Sequence, residues 1–141
     1  MFKFFTLAAP VVLVMALAAP RAHADTVKYK ATLSGASEVP ANDTKGTGTA
    51  DLTYDTATKK LTYTLTYSGL TGDALAAHFH GPAEAGKNAG LELPITVGPS
   101  PIKGEATLND KQATDLAGGL WYVNIHTKAN GAGEIRGQVA K

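Results

Sequence analysis

The alternation of apolar and polar side chains in residues 60–67, KLTYTLTY, constrains the fold more than any other feature of this sequence. Two leucines and two tyrosines fall on one side of an extended chain, and the threonines fall on the other. A period of two is typical of a β-strand with one buried face. A polar turn at residues 55–59 joins this segment to a similar one at residues 46–54. We therefore expect a β-hairpin here.

Short segments of the same character follow one another along most of the chain. Strands are expected at residues 26–33, 46–54, 60–67, 74–80, 91–97 and 102–108, and in two arms of a hairpin within 120–139. One helix is expected at residues 109–117, because Asn109 and Gln112 resemble a capping box. Seven or eight short antiparallel strands with one short helix predict an all-β Greek-key sandwich or barrel.

The closing stretch, residues 120–139, gathers side chains of very different chemistry. By alternation, Trp121, Val123 and Ile125 face the core, with Phe79, Leu61 and Leu65 expected in the same core. His126 then lies on the polar face at the end of its strand. A glycine-rich turn leads into the returning strand, where Glu134 and Arg136 point outward on either side of a buried isoleucine.

The N-terminus predicts export. Residues 1–24 carry an early lysine, an apolar run and the A-x-A pattern of residues 22–24, as a secretory signal peptide does. Residues 25–141 are then expected to form one domain, in the periplasm or outside the cell. Lys and Arg (13) nearly balance Asp and Glu (12), so charge gives no reason to expect nucleic acid or an anionic membrane as partner. With no cysteine, disulfides are excluded.

Three histidines remain after removal of the signal peptide: His78, His80 and His126. A His-x-His pair on a strand has both rings on the same face, with β-carbons roughly 6–7 Å apart. If the His126 strand lies nearby, all three imidazoles can reach one ion. Three imidazoles without a thiolate suit copper, with zinc as the alternative. The competing interpretation is that these histidines are ordinary polar surface residues.

Three charged residues are candidates for supporting roles. Arg136 could guide an anion toward a bound ion, since a guanidinium is always charged. The alternative is an exposed arginine that pairs with a carboxylate such as Glu134. Glu38 and Glu134 could orient a ligand imidazole from outside the metal's own shell. For both, an ordinary hydrogen-bonding role in a loop or hairpin is the alternative.

Several motifs together resemble the CHRD domain, first recognised in chordin. They are LSGASEVP at residues 33–40, YSGLTG at 67–72, AHFHGPA at 77–83, YVNIHT at 122–127 and GEIRGQ at 133–138. The family often has a second proline where Ala41 stands, and Asn-Pro-Gly-Gly where residues 130–133 read NGAG. Both departures concern loop shape. In chordin the domain belongs to an extracellular protein that binds growth factors.

The layout is also similar to copper–zinc superoxide dismutase, with His-x-His on one strand, a late histidine on another and an arginine near the copper. The zinc ligands and the bridging histidine of that enzyme are missing, so the similarity is to a copper-only version. The leading hypothesis is an exported copper-binding β-sandwich protein, and superoxide turnover would be an extension of it. The alternatives are a copper or zinc carrier without turnover and a protein-interaction module.

Overall fold

The structure is a computed structural model that describes residues 24–141. The predicted signal peptide lies outside the described residues except for Ala24. The strands are β1 (Thr26–Ser34), β2 (Thr47–Asp55), β3 (Lys60–Ser68), β4 (Ala76–His80), β5 (Leu91–Ile95), β6 (Ile102–Thr107), β7 (Tyr122–His126) and β8 (Ile135–Gln138). A short 3-10 helix (Gly35–Ser37) follows β1, and the helix α1 (Asp110–Ala117) connects β6 to β7.

All eight strands form one antiparallel sheet in the order β5-β4-β7-β8-β1-β2-β3-β6. The sheet curls into a nearly closed barrel, and the all-β prediction is confirmed. The late hairpin of β7 and β8 inserts between β4 and β1, so that segments distant in sequence become neighbours. Because β4 and β7 are paired, the two strands that carry the histidines lie side by side.

Apolar side chains fill the inside of the curled sheet. The predicted core residues are all buried: Leu61, Leu65, Phe79, Trp121, Val123 and Ile125 are each 0% exposed. Edge-to-face contact between Tyr63 and Phe79, with ring centroids 5.2 Å apart, joins β3 to β4 across this interior. The strand facing predicted from alternation is therefore correct for both strands that carry histidines.

The start of β4 differs from the prediction. The strand begins at Ala76 rather than Ala74. Alternation with Ala77 and Phe79 predicts that Leu75 faces the core, but Leu75 is 60% exposed. Leu75 precedes the first residue pair of β4 with β7, which is Ala76 with His126. The helix prediction is confirmed, since Asn109 and Gln112 form a reciprocal capping box before α1. Within residues 24–141, no helix combines the length and the apolar character needed to span a bilayer.

Truncation of Ile125 should test the core assignment. Ile125→Ala is expected to lower the free energy of unfolding by roughly 2–5 kcal/mol, because it leaves a cavity between strands. Leu75→Ala removes a comparable side chain at an exposed position and should change stability by less than about 0.5 kcal/mol. Urea denaturation of both variants measures the difference. Equal losses would contradict the facing described here.

Candidate metal centre

The pairing of β4 with β7 places polar residues of both strands next to one another on the face of the sheet that points away from the core. In the register of the two strands, His78 lies opposite Asn124, His80 opposite Tyr122, and Ala76 opposite His126. Residues two apart on a strand share a face, so all three histidines and Asn124 project from the same side. The sheet therefore brings together residues that are more than 40 positions apart in sequence.

The three imidazoles converge. His78 Nδ1 lies 3.3 Å from His126 Nε2, and one nitrogen from each of the three rings lies within 4.8 Å of the others. Two nitrogens bound tetrahedrally to one ion at 2.0–2.1 Å are about 3.3 Å apart. The expectation that the three imidazoles lie close enough to reach one ion agrees with these distances. All three histidines are half-buried, so the cluster can be reached from solvent.

Backbone carbonyls determine which nitrogen of two of the rings carries a proton. His80 Nδ1 lies 3.2 Å from the carbonyl oxygen of Ala89, and His126 Nδ1 lies 3.0 Å from that of Gly131. A carbonyl oxygen only accepts hydrogen bonds, so each Nδ1 is the protonated donor. In the neutral ring Nε2 then carries a free lone pair. This is how ligand imidazoles are commonly oriented in metal sites.

Asn124 lies between His80 Nε2 and His126 Nε2, and it was not among the residues predicted to belong to the site. Its side chain is 4% exposed, and its Oδ1 lies 3.2 Å from His80 Nε2 and 3.0 Å from His126 Nε2. A usable signal was present, because an Asn-x-His pair on a strand repeats the geometry of His-x-His. The alternation placed Asn124 on the correct face, but an amide at a strand centre is not by itself a ligand signal.

The electrostatics of the cluster favour the neutral forms of His78 and His80. Burial lowers the pKa of His78, and the neighbouring charges of His126 and His80 lower it further. Burial is also the main cause that lowers the pKa of His80, against opposing hydrogen bonds from its neighbours. A neutral imidazole is the form that binds a metal ion. The cluster is therefore ready to accept a cation at neutral pH.

A stack of three side chains supports His80. The imidazole of His80 lies parallel to the Tyr122 ring, with centroids 4.8 Å apart, and the Arg136 guanidinium carbon lies 3.5 Å from the centre of the same ring. Two groups this close to one ring cannot share a face without overlapping, so Tyr122 lies between them. The Tyr122 hydroxyl donates to the Ala89 carbonyl, the same oxygen that accepts from His80.

Arg136 is not exposed, in contrast to the alternative prediction of an exposed arginine that pairs with Glu134. It is 2% exposed, and it donates to Asn88 Oδ1 at 2.9 Å and to the carbonyl oxygen of Lys87. It makes no ion pair with Glu134 among the described residues. The guanidinium instead ties the loop between β4 and β5 to the sheet. A role in guiding an anion therefore stays a prediction, and two of its donors are already engaged.

Glu134 is fully buried and surrounded by hydroxyl groups. Its carboxylate accepts from Thr44 Oγ1 at 2.6 Å, Thr127 Oγ1 at 2.6 Å, and both the hydroxyl and the backbone N–H of Thr71 at 2.8 Å. Burial alone would raise the pKa of Glu134, but these hydrogen bonds outweigh it and lower the pKa to about 2. Glu134 therefore joins two other loops, at Thr44 and Thr71, to the loop of the β7–β8 hairpin.

Glu38 is buried next to Arg136 but titrates very differently. Burial raises the pKa of Glu38 to about 7, against the opposing effects of the Arg136 charge, the Val39 backbone and the Asn124 amide. Its Oε1 packs against Gly133, where any Cβ would collide with the carboxyl group. Among the described residues, neither Glu38 nor Glu134 is hydrogen-bonded to a histidine. The carbonyls of Ala89 and Gly131 orient the rings instead.

The comparisons with known proteins identify one family. The sequence model of the CHRD domain matches residues 29–139, a range that includes all three histidines, Asn124 and Arg136. The resemblance seen in the motifs is thereby confirmed. Neither a search of curated proteins nor a search of solved structures found a match.

The hydrogen bonds around Glu134 should make the free energy of unfolding depend on pH. A carboxylate whose pKa is lowered from 4.5 to about 2 stabilises the fold above pH 4.5, and this contribution is lost as pH falls toward 2. Glu134→Gln should therefore be clearly less stable than the wild type at pH 6, and the difference should shrink below pH 4.5. Denaturation midpoints across this range measure it, with the exposed Asp51→Asn as control. A difference independent of pH would contradict this account.

Proposed function

The chain belongs to the CHRD domain family, whose members occur in secreted or extracellular proteins, and from this premise we propose that it is an exported protein that binds one copper ion. His78, His80 and His126 would supply the nitrogen ligands, and zinc is the alternative ion. The proposal concerns metal binding, and it does not require turnover of a substrate.

One observation carries the proposal: the three imidazoles converge, with one nitrogen of each within 4.8 Å of the others. His80 Nδ1 and His126 Nδ1 each lie against a backbone carbonyl, so Nε2 of each neutral ring is left to bind an ion. Both of these Nε2 nitrogens lie 3.0–3.2 Å from Asn124 Oδ1. A cation placed among these atoms would be attracted to all of them.

The donor set favours copper. Imidazole nitrogens suit copper, zinc, iron and nickel, whereas thiolates, which favour zinc and iron–sulfur sites, cannot occur in a chain without cysteine. For a site of given nitrogen and oxygen donors, copper(II) binds more tightly than zinc in the usual order of divalent metals. Five cavities formed by residues 24–141 have no histidine in their lining. A small ion fits this cluster better than an organic substrate.

The residues around the histidine cluster favour storage or transfer of the metal over superoxide turnover as the function of the site. Turnover would need a free coordination position and a positive charge available to superoxide. Arg136 is buried and donates to the loop at Lys87 and Asn88, so its charge is not presented to solvent. Asn124 Oδ1 occupies the space between two of the nitrogens. Superoxide consumption by the copper-loaded protein, compared with sequestered copper, distinguishes the two functions.

Metal binding should depend on the histidines. Isothermal titration of the mature protein with copper(II) at pH 7 is expected to show one ion bound per chain. His126→Ala should weaken this binding by at least about 100-fold, because loss of a group that only supports a ligand already costs 10–100-fold. Lys128→Ala changes an exposed residue close in sequence and should bind as the wild type does.

The same titrations can also contradict the proposal. If the wild-type protein binds neither copper nor zinc above the level of His126→Ala, the cluster is not a metal site. The interaction-module hypothesis would then replace it. Circular dichroism of each variant establishes that any loss of binding is not caused by unfolding.

Protons should compete with the metal for the same nitrogens. Because the pKa values of His78 and His80 are lowered, both rings stay neutral below the ordinary histidine pKa of 6.5. Copper affinity is therefore expected to be nearly constant from pH 8 to about 6 and to fall steeply at lower pH. Titrations at a series of pH values measure this profile. An affinity that stays unchanged down to pH 4 would exclude imidazole ligands.

A further inference from the structure

We propose that Asn124 Oδ1 is a fourth donor to the metal, so that the site is a closed set of three imidazoles and one amide oxygen. This inference rests on the proposed function and goes beyond it. It assigns as a ligand a residue to which neither the histidine pattern nor the family match gives a role. It also defines what kind of ion the site should prefer.

The strand register places Asn124 at the centre of the cluster. It lies directly opposite His78 on the neighbouring strand and two residues before His126 on its own strand. His80 lies diagonally across from it, and that contact is the 3.2 Å approach to His80 Nε2. No other side chain on this face adjoins all three histidines in the register.

The distances match the edges of a coordination shell. Ligands that bind one ion tetrahedrally at 2.0–2.1 Å are separated by about 3.3 Å. Three such separations are present: His78 Nδ1 to His126 Nε2 at 3.3 Å, Asn124 Oδ1 to His80 Nε2 at 3.2 Å, and Asn124 Oδ1 to His126 Nε2 at 3.0 Å. Small rotations of the rings would close the remaining edges around an ion.

Asn124 presents its oxygen to the histidines from a buried position. The residue is 4% exposed, and Oδ1 is the atom of its amide that lies beside both Nε2 nitrogens. An oxygen placed in this way needs no rearrangement to bind a cation.

The donor set implies a preference between oxidation states. An amide oxygen is a hard donor, and soft sulfur donors are what usually selects copper(I). Three imidazoles with one amide oxygen therefore suit copper(II) or zinc, and together they supply four donors to the ion. A closed shell of neutral ligands is suited to holding an ion rather than to binding superoxide.

Substitution of Asn124 tests the assignment directly. Copper(II) titration at pH 7 and electron paramagnetic resonance of the copper-loaded protein should be measured for the wild type, Asn124→Ala and Asn124→Asp. Asn124→Ala is expected to lose at least about 100-fold in affinity and to show an altered copper hyperfine splitting. Asn124→Asp keeps a donor oxygen in the same place and should bind copper with affinity much closer to that of the wild type.

Asn109→Ala is the matched control, because it removes the cap of α1 while leaving the cluster intact. It should lower thermal stability but keep wild-type copper affinity and spectrum. The assignment is overturned if Asn124→Ala keeps the wild-type affinity and spectrum, or if the Ala and Asp variants lose affinity equally. In either case wild-type binding of copper would still support the proposed function. Failure of the wild type to bind would remove both.

Discussion

The antiparallel pairing of β4 with β7 is the constraint on which the rest of the structure depends. Its register puts Phe79 and Ile125 into the hydrophobic interior, where both are fully buried. The same register necessarily turns the alternate residues, His78, Asn124 and His126, to the opposite face. A shift of the strand pairing by one residue would turn the histidines into the core and the apolar side chains to the outer face. Burial of the apolar face therefore fixes the geometry of the histidines.

The outer face of these strands is partly covered by a polar layer, which leaves the histidines half-buried. Glu134, with its three threonine partners, and Arg136, stacked on Tyr122, tie the surrounding loops to the β7–β8 hairpin. Buried charges of this kind are costly unless they are fully hydrogen-bonded. The Glu134 carboxylate and the Arg136 guanidinium both have such partners. The layer holds the carbonyls of Ala89 and Gly131 against the two imidazoles whose protons they accept.

The two buried glutamates illustrate how local partners decide chemistry. Glu134 has four hydrogen-bond contacts and a pKa lowered to about 2, whereas burial raises the pKa of Glu38 to about 7. The first acts as a permanent negative anchor for loops. The second lies beside Arg136 and Asn124, whose opposing effects do not outweigh its burial. Neither behaviour could be inferred from the residue type, because both depend on side chains distant in sequence.

The sequence by itself determined the class of fold, the facing of the strands and the three candidate ligands. These follow from local patterns: apolar alternation separates core residues from His78, His80 and His126, and the capping box places α1. Only the tertiary structure decided that β7 lies against β4, that Leu75 is exposed, that Arg136 is buried and that Asn124 lies among the nitrogens. The reason is physical, since strand order and loop closure arise from contacts between segments far apart in the chain. Alternation indicates which face a residue occupies, but it carries no information about the neighbour across the ladder.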